Sequence, residues 1–291
     1  LVYDRSAVSQ RGRAVGIVWT FLLLGYAVGG PLFGLALPSN GETTGLDFAP
    51  ETLQALFIGA ALLMGVLWFF SIVGEEKRSR GAVAEAQNLP KTTLRGDLKL
   101  AWNFRETRLF FWYLGLSMLF AFSQDLVLEP FAADVFGMEA RTTTRFSGYW
   151  GSMAIIGSLV VLYLSRRYQW MTNKRLNIWG VVVLIAAFAV FAFSSFAEIR
   201  GLVTPGLILL GIGLGIWEIG SLGMMMQMSP AGRAGTFLGF WTLVVTLARG
   251  IGVSSGGVVR DFVLQISGSL SISYASVFLI GAVGLAVSLG V

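Results

Sequence analysis

An all-α membrane bundle with eight spanning helices is the fold class this sequence predicts, and three observations predict it. The 291 residues are 55% hydrophobic and only 13% charged, with a mean hydropathy of +0.73, outside the balance of a soluble domain. Apolar runs long enough to cross a bilayer, which takes about 20 residues, recur along the whole chain. These runs are continuous rather than alternating, so the backbone must close its hydrogen bonds within helices and not between the strands of a barrel.

The first two runs, 14–37 and 53–73, form a pair. A charged opening, LVYDRSAVSQRGRAVG, precedes them and reads as a loop between helices, so the sequence reads as the back part of something longer. After them comes the most polar segment, residues 74–108, read as a cytoplasmic linker between two bundles. Within it Leu94, Leu98, Ala101 and Trp102 share one side at helical spacing, which suits a short helix on the membrane surface; a disordered tether is the alternative. The remaining six runs are 109–130, 147–164, 176–196, 204–228, 236–257 and 272–290, and they make up a C-terminal half bundle over 109–291.

Charge placement supplies the topology. Of the 21 Lys and Arg, 16 fall in residues 1–13, 74–108, 165–175 and 229–235, and four (Arg141, Arg145, Arg200, Arg260) in the alternate loops. That is the positive-inside pattern, so both ends of the chain are expected in the cytoplasm. The net charge of +5 therefore reports topology and contact with anionic lipid, not nucleic acid. The sequence has no cysteine and no histidine, so thiolate sites and the commonest metal ligand are excluded, and no protein-bound metal is expected. The tryptophans, among them Trp68, Trp112, Trp170 and Trp179, sit near span ends as an interfacial belt does.

Four ionisable residues fall inside spans: Asp125, Glu129, Glu218 and Arg249. Each costs at least about 2.5–3.5 kcal/mol at the bilayer centre, so none should face lipid. Asp125 and Glu129 lie one helical turn apart. Pro130 follows directly, disfavours the α conformation at Glu129, and deprives the Leu126 carbonyl of its donor. The helix is expected to kink or break there, so that Gln124, Asp125, Glu129 and the freed carbonyl form one acceptor-rich pocket. If the helix continues to about residue 136 the pair lies near the midplane; if Pro130 ends it, the pair lies near the outer interface. Glu218 and Arg249 stand roughly 16 and 21 Å from the short loop joining their helices, and they are expected to pair as a buried salt bridge, architectural or gating. The Met-rich stretch at 224–228 reads as an adaptable surface or simple filling.

Two motifs carry a resemblance. GYAVGGPLFG places Gly25, Gly29, Gly30 and Gly34 on one helix face with Pro31 among them. It is similar to the Gly-Pro-Gly pattern in the fifth helix of the major facilitator superfamily; close helix packing without a transport role is the other reading. An internal repeat at an offset of 220 residues sets Gly12, Arg13, Ala14 and Gly30 against Gly232, Arg233, Ala234 and Gly250, as in a bundle built from two related halves. The stretch SQDLVLEPFAADVFGM, the opening DRSAVSQRGRAVGIVW and SPAGRAGTFLGFW with LARGIG together resemble the PucC-like, or bacteriochlorophyll delivery, family.

That resemblance implies a major-facilitator-like bundle, twelve helices in full length and eight in this chain, in the inner or photosynthetic membrane of a bacterium. It implies a protein that assembles light-harvesting or reaction-centre complexes and transiently handles (bacterio)chlorophyll, with antenna polypeptides or the reaction centre as partners. The family motif falls on Gln124, Asp125, Glu129 and Pro130, whose hard oxygen atoms suit a magnesium or a hydrogen-bond donor. The absence of histidine, the usual ligand of chlorophyll magnesium, suits a transient handler. No nucleotide loop, catalytic triad or Asp-rich diphosphate motif is present in the sequence, so a non-enzymatic role is expected. The competing function is a proton-coupled secondary transporter of a small molecule, with Asp125 or Glu129 cycling protons.

Overall fold

A computed structural model of the protein describes residues 21, 24–25, 27–35, 50–73, 102–228 and 234–291. The regular elements among the described residues are all helices, with no strand among them. Residues 27–35 are helical, and the labelled elements that follow are α1 (Pro50–Ile72), α2 (Arg105–Phe122), α3 (Leu128–Phe136), α4 (Ala140–Thr143), α5 (Phe146–Arg167), α6 (Asn173–Phe196), α7 (Val203–Met228), α8 (Ala234–Ser267) and α9 (Leu270–Ser288). A 3-10 turn, Arg200–Leu202, leads into α7.

Among the described residues six helices are long and apolar enough to cross a membrane: α1, the α4–α5 stretch, and α6 to α9. Of the other two expected spans, half of 14–37 lies outside the described residues, and 109–130 is divided by a turn at 123–127 into α2 and α3. Residues 74–101, with most of the expected surface helix, lie outside the described residues, as does the paired Gly-Arg-Ala of the repeat apart from Ala234.

The bounds of the intact spans follow hydropathy and caps. Thr172 accepts from the Arg175 amide at the start of α6, and Ser269 does the same for Ile272 at the start of α9, each supplying an acceptor to a backbone donor that the first turn leaves orphaned. α8 departs from expectation: it runs for 34 residues, roughly 50 Å, well past a hydrocarbon core of about 30 Å. Arg260 and Asp261, expected in a loop, therefore ride on its last turns. Nothing in the sequence stops the helix until Gly268, whose φ of 65° ends it in the left-handed region that glycine adopts without strain.

Packing among α5, α6 and α7 depends on small residues. A Cβ added at Gly180 would strike the backbone of Trp217 at 2.6 Å, and one at Gly215 would strike the Ala154 carbonyl. Such close backbone approach is how membrane helices gain van der Waals contact where the hydrophobic effect gives no preference between protein and lipid. An aromatic cluster closes the far side: the Phe131 ring of α3 lies 5.1 Å from Phe278 and 5.7 Å from Tyr274 of α9, and Phe191 of α6 lies 5.3 Å from Phe278. Phe131, Phe191, Phe278 and Tyr274 are fully buried. Trp68, Trp112, Trp170 and Trp179 are all exposed on the outer surface, as a belt requires.

Candidate functional site

The site begins where α2 stops. After Phe122 the backbone leaves α-helical pairing: the Asp125 amide donates to Phe122 O and the Val127 amide to Gln124 O, both bonds of the tighter i to i+3 kind. The Ser123 hydroxyl donates to Phe120 O. α3 then restarts at Leu128, so Pro130 stands in its first turn, where a missing N–H breaks no helical bond. The break therefore falls at 123–127, a turn earlier than the proline rule suggested, and Glu129 is helical after all. Chain direction recovers through α3 until Gly137, with φ 62°, caps it by donating to Ala133 O.

Asp125 and Glu129 thus sit on different elements, the turn and the start of α3, yet both line one small cavity of about 190 Å³ with Gln124, Phe146, Trp150 and Arg249. Pro130 shapes the entry to α3 and is not part of the lining. Gln124, 2% exposed, donates through Nε2 to Asp125 Oδ1 at 2.8 Å, while its Oε1 is buried without a donor. Arg249 Nη2 donates to Asp125 Oδ2 at 3.0 Å. Its guanidinium also lies over the Phe122 ring, 4.3 Å from the centroid, a favourable cation–π placement.

The salt bridge is the main correction to the sequence reading. Arg249 bridges Asp125 of the α2–α3 turn, where Glu218 was expected. Glu218, on α7, lies close enough to feel the charge of Arg249, but its Oε2 is buried with no hydrogen-bond partner. Asp125, expected to lack a basic partner, has one; Glu129 forms no hydrogen bond or ion pair among the described residues. Depth along two helices fixes height in the membrane, and the angular position of Arg249 around α8 decides which acid it meets.

That angular position is fixed by glycine. Gly252 and Gly256 follow Arg249 by three and seven residues on the same face of α8, and an added Cβ on either would run into a carbonyl of α2 or the turn, Leu119 O and Ser123 O respectively. The four-residue glycine spacing brings the two backbones together and delivers Arg249 to Asp125. The helix over 27–35 reaches the same site from behind. Gly30 packs against Ser147 and Thr144, Gly34 against Thr144 and Arg141, and Pro31 against Gly148; Ser147 is itself part of the cavity wall. Gly25 and Gly29, expected on the same packing face, have nothing within 4 Å of an added Cβ.

A second polar group escaped the sequence reading. Asn177 Oδ1 accepts from Tyr113 OH (3.1 Å) and from Ser221 OH (2.6 Å), its Nδ2 donates to Asn173 O and to the Met224 sulfur, and Trp217 Nε1 donates to Tyr113 OH at 3.0 Å. These side chains join α2, α6 and α7 in the apolar interior beside a cavity of about 540 Å³. A third lies at the other end, where Arg260 donates to Tyr274 OH and Tyr274 donates to Asp134 Oδ2, tying α8, α9 and α3 together. The signal for both was a lone Asn, Tyr or Asp in an apolar run, weaker than the four buried charges on which the sequence reading rested. Among the described residues no group of three or more acidic side chains has the spacing to hold a metal ion.

Comparison with known proteins follows the same lines. The family model described as PUCC protein matches residues 1–291. A "Protein PucC" of Rhodovulum sulfidophilum is 29% identical over 267 residues, covering 90% of this chain and 56% of that protein. A "Bacteriochlorophyll synthase 44.5 kDa chain" of Rhodobacter capsulatus is 32% identical over 265 residues, covering 88% and 58%. A Rhodobacter capsulatus protein described by its place in the puhA-bchM intergenic region is 26% identical over 269 residues, covering 90% and 53%. The chain spans 53% to 62% of the length of the five curated relatives it matches.

Proposed function

The chain belongs to the PUCC protein family, and from that membership we propose that it is a non-enzymatic assembly factor of the bacterial photosynthetic membrane, bringing (bacterio)chlorophyll and antenna polypeptides together in light-harvesting or reaction-centre complexes. On this reading the six described spans, the partly described helix over 27–35 and the broken α2–α3 pair make eight crossings of a major-facilitator-like bundle with both ends of the chain in the cytoplasm. The seating of residues 27–35 on α4 and α5 supports a contact between two half bundles, and the charge bias of alternate loops supports the orientation.

The observation that carries the site assignment is the break at 123–127, which collects Gln124, Asp125, Glu129 and Arg249 in one sheltered cavity. Its oxygen atoms would suit a magnesium by donor type, but about 190 Å³ is below the about 300–1,000 Å³ of pockets that enclose a mid-sized ligand. A tetrapyrrole ring does not fit inside. The cavity therefore engages a polar group of the polypeptide cargo, and the pigment is handled transiently in company with that cargo.

Two measurements test the assembly role. Gentle purification from photosynthetic membranes is expected to yield chlorophyll absorbance and antenna polypeptides with the protein. Glu129→Gln is expected to lower antenna assembly severalfold while leaving the amount of folded protein unchanged; normal antenna levels in that strain would sink the proposal. The buried, partnerless Glu218 Oε2 beside an intramembrane ion pair favours one second reading, a proton-coupled transporter. A colourless, solitary protein whose substrate uptake collapses with the proton gradient would decide for it.

A further inference from the structure

The cavity at the α2–α3 break has more acceptors than donors. Gln124 is 2% exposed and its buried Oε1 meets no donor, and Glu129 brings two further oxygens with no partner among the described residues. The charge of Arg249 is held against Asp125 at 3.0 Å, so the lining carries a formal excess of one negative charge. The lining also includes two aromatic side chains, Phe146 and Trp150, and aromatic faces attract cations.

An anion would meet Glu129 and find the one cation already engaged. A neutral donor would satisfy Gln124 and leave the carboxylate of Glu129 without a counter-charge. A metal ion lacks the cluster of acidic ligands it needs among the described residues. What fits a cavity of about 190 Å³ with these walls is a compact cation that carries its own N–H groups.

We infer that this cavity is a receptor for the tip of a primary ammonium or guanidinium group, hydrogen-bonded to Gln124 Oε1 and Glu129 and stacked on the aromatic side chains. The same chemistry is presented by a lysine or arginine side chain of a polypeptide and by a free small amine. Naming the polypeptide as the source rests on the assembly reading above; the chemistry of the cavity does not.

The test uses the full chain purified in nanodiscs, titrated with methylguanidinium and ethylammonium at constant ionic strength. Both are expected to raise the melting temperature and to protect Glu129 from a hydrophobic carbodiimide at least fivefold. Tetramethylammonium, a cation without N–H donors, is expected to do neither. Glu129→Gln should weaken methylguanidinium binding at least tenfold. Gln124→Leu should do the same; should that variant not fold, Gln124→Met, of similar length but without the Oε1 acceptor, is read in its place with the same expected loss. Equal protection by tetramethylammonium, or unchanged binding in Glu129→Gln, overturns the inference.

A second arm identifies the source. In native membranes the carbodiimide condenses the Glu129 carboxylate with a neighbouring amine, forming an amide while the reagent takes up the water as a urea. A cross-linked peptide joining Glu129 to a lysine of another polypeptide assigns that source, and incorporation of free amine alone overturns it. Antenna levels in the Glu129→Gln strain report on the assembly reading, whereas methylguanidinium binding reports on this one, so either can fail without the other.

Discussion

A double-mutant cycle across Arg249 and Asp125 measures the contact on which the site geometry depends. Two unit charges about 4 Å apart interact by about 4 kcal/mol at an effective dielectric of 20. The pair is not sealed, since the Arg249 and Asp125 side chains are 39% and 22% exposed. Exposed pairs couple by less than about 1 kcal/mol, while breaking a buried one costs about 3–5 kcal/mol. A coupling of about 1–2 kcal/mol is therefore expected between Asp125→Asn and Arg249→Gln, each single variant being less stable than additivity with the double variant implies. Reversible SDS titration followed by circular dichroism supplies the free energies. The parallel cycle of Glu218→Gln with Arg249→Gln should give the smaller coupling, because Glu218 makes no salt bridge to Arg249. An Asp125–Arg249 coupling within the about 0.3–0.5 kcal/mol by which independent sites depart from additivity, or a larger coupling for Glu218, would refute the geometry described here.

Other outcomes follow from the packing. Gly256→Val places a branched side chain against Ser123 O; it should push α8 off the turn, abolish the Asp125–Arg249 coupling and lower the melting temperature, whereas the substitution at Gly257, which has nothing within 4 Å, should leave both unchanged. Asn177→Leu deprives the Tyr113 and Ser221 hydroxyls of their acceptor in an apolar interior, leaving Tyr113 OH only the Trp217 donor, at a cost of about 2–3 kcal/mol by SDS titration, and a cost under about 0.5 kcal/mol would contradict the network. Phe131→Ala empties the middle of the aromatic cluster and should cost about 3–5 kcal/mol in the same assay.

How far the sequence revealed this structure depends on what each feature is made of. The spans at 176–196 and 204–228 are read within three residues of α6 and α7, because continuous hydropathy is a local property. The acid pocket was legible as a set of residues: Gln124, Asp125 and Glu129 do share a cavity. The mechanism of the break was not legible, since Pro130 announces a local rule while the break occurs where α8 lays Gly252 and Gly256 against Leu119 and Ser123, a tertiary contact between residues far apart in sequence. The partner of Arg249 was misread for a related reason. Rise per residue gives depth, but rotation about a helix axis is set by packing. The last turns of α8 were missed because Arg260 and Asp261 look like a loop, although no proline comes before Gly268 and the glycines within the helix do not end it.

The length of α8 ties two distant fastenings into a single moving part. Arg249 and Arg260 are eleven residues apart on one unbroken helix, about three turns or roughly 16 Å, and so point nearly the same way, one gripping Asp125 and the other Tyr274. Any roll of the rod that frees the first must drag the second, so a loosening of one latch is felt at the other without a relay of side chains in between.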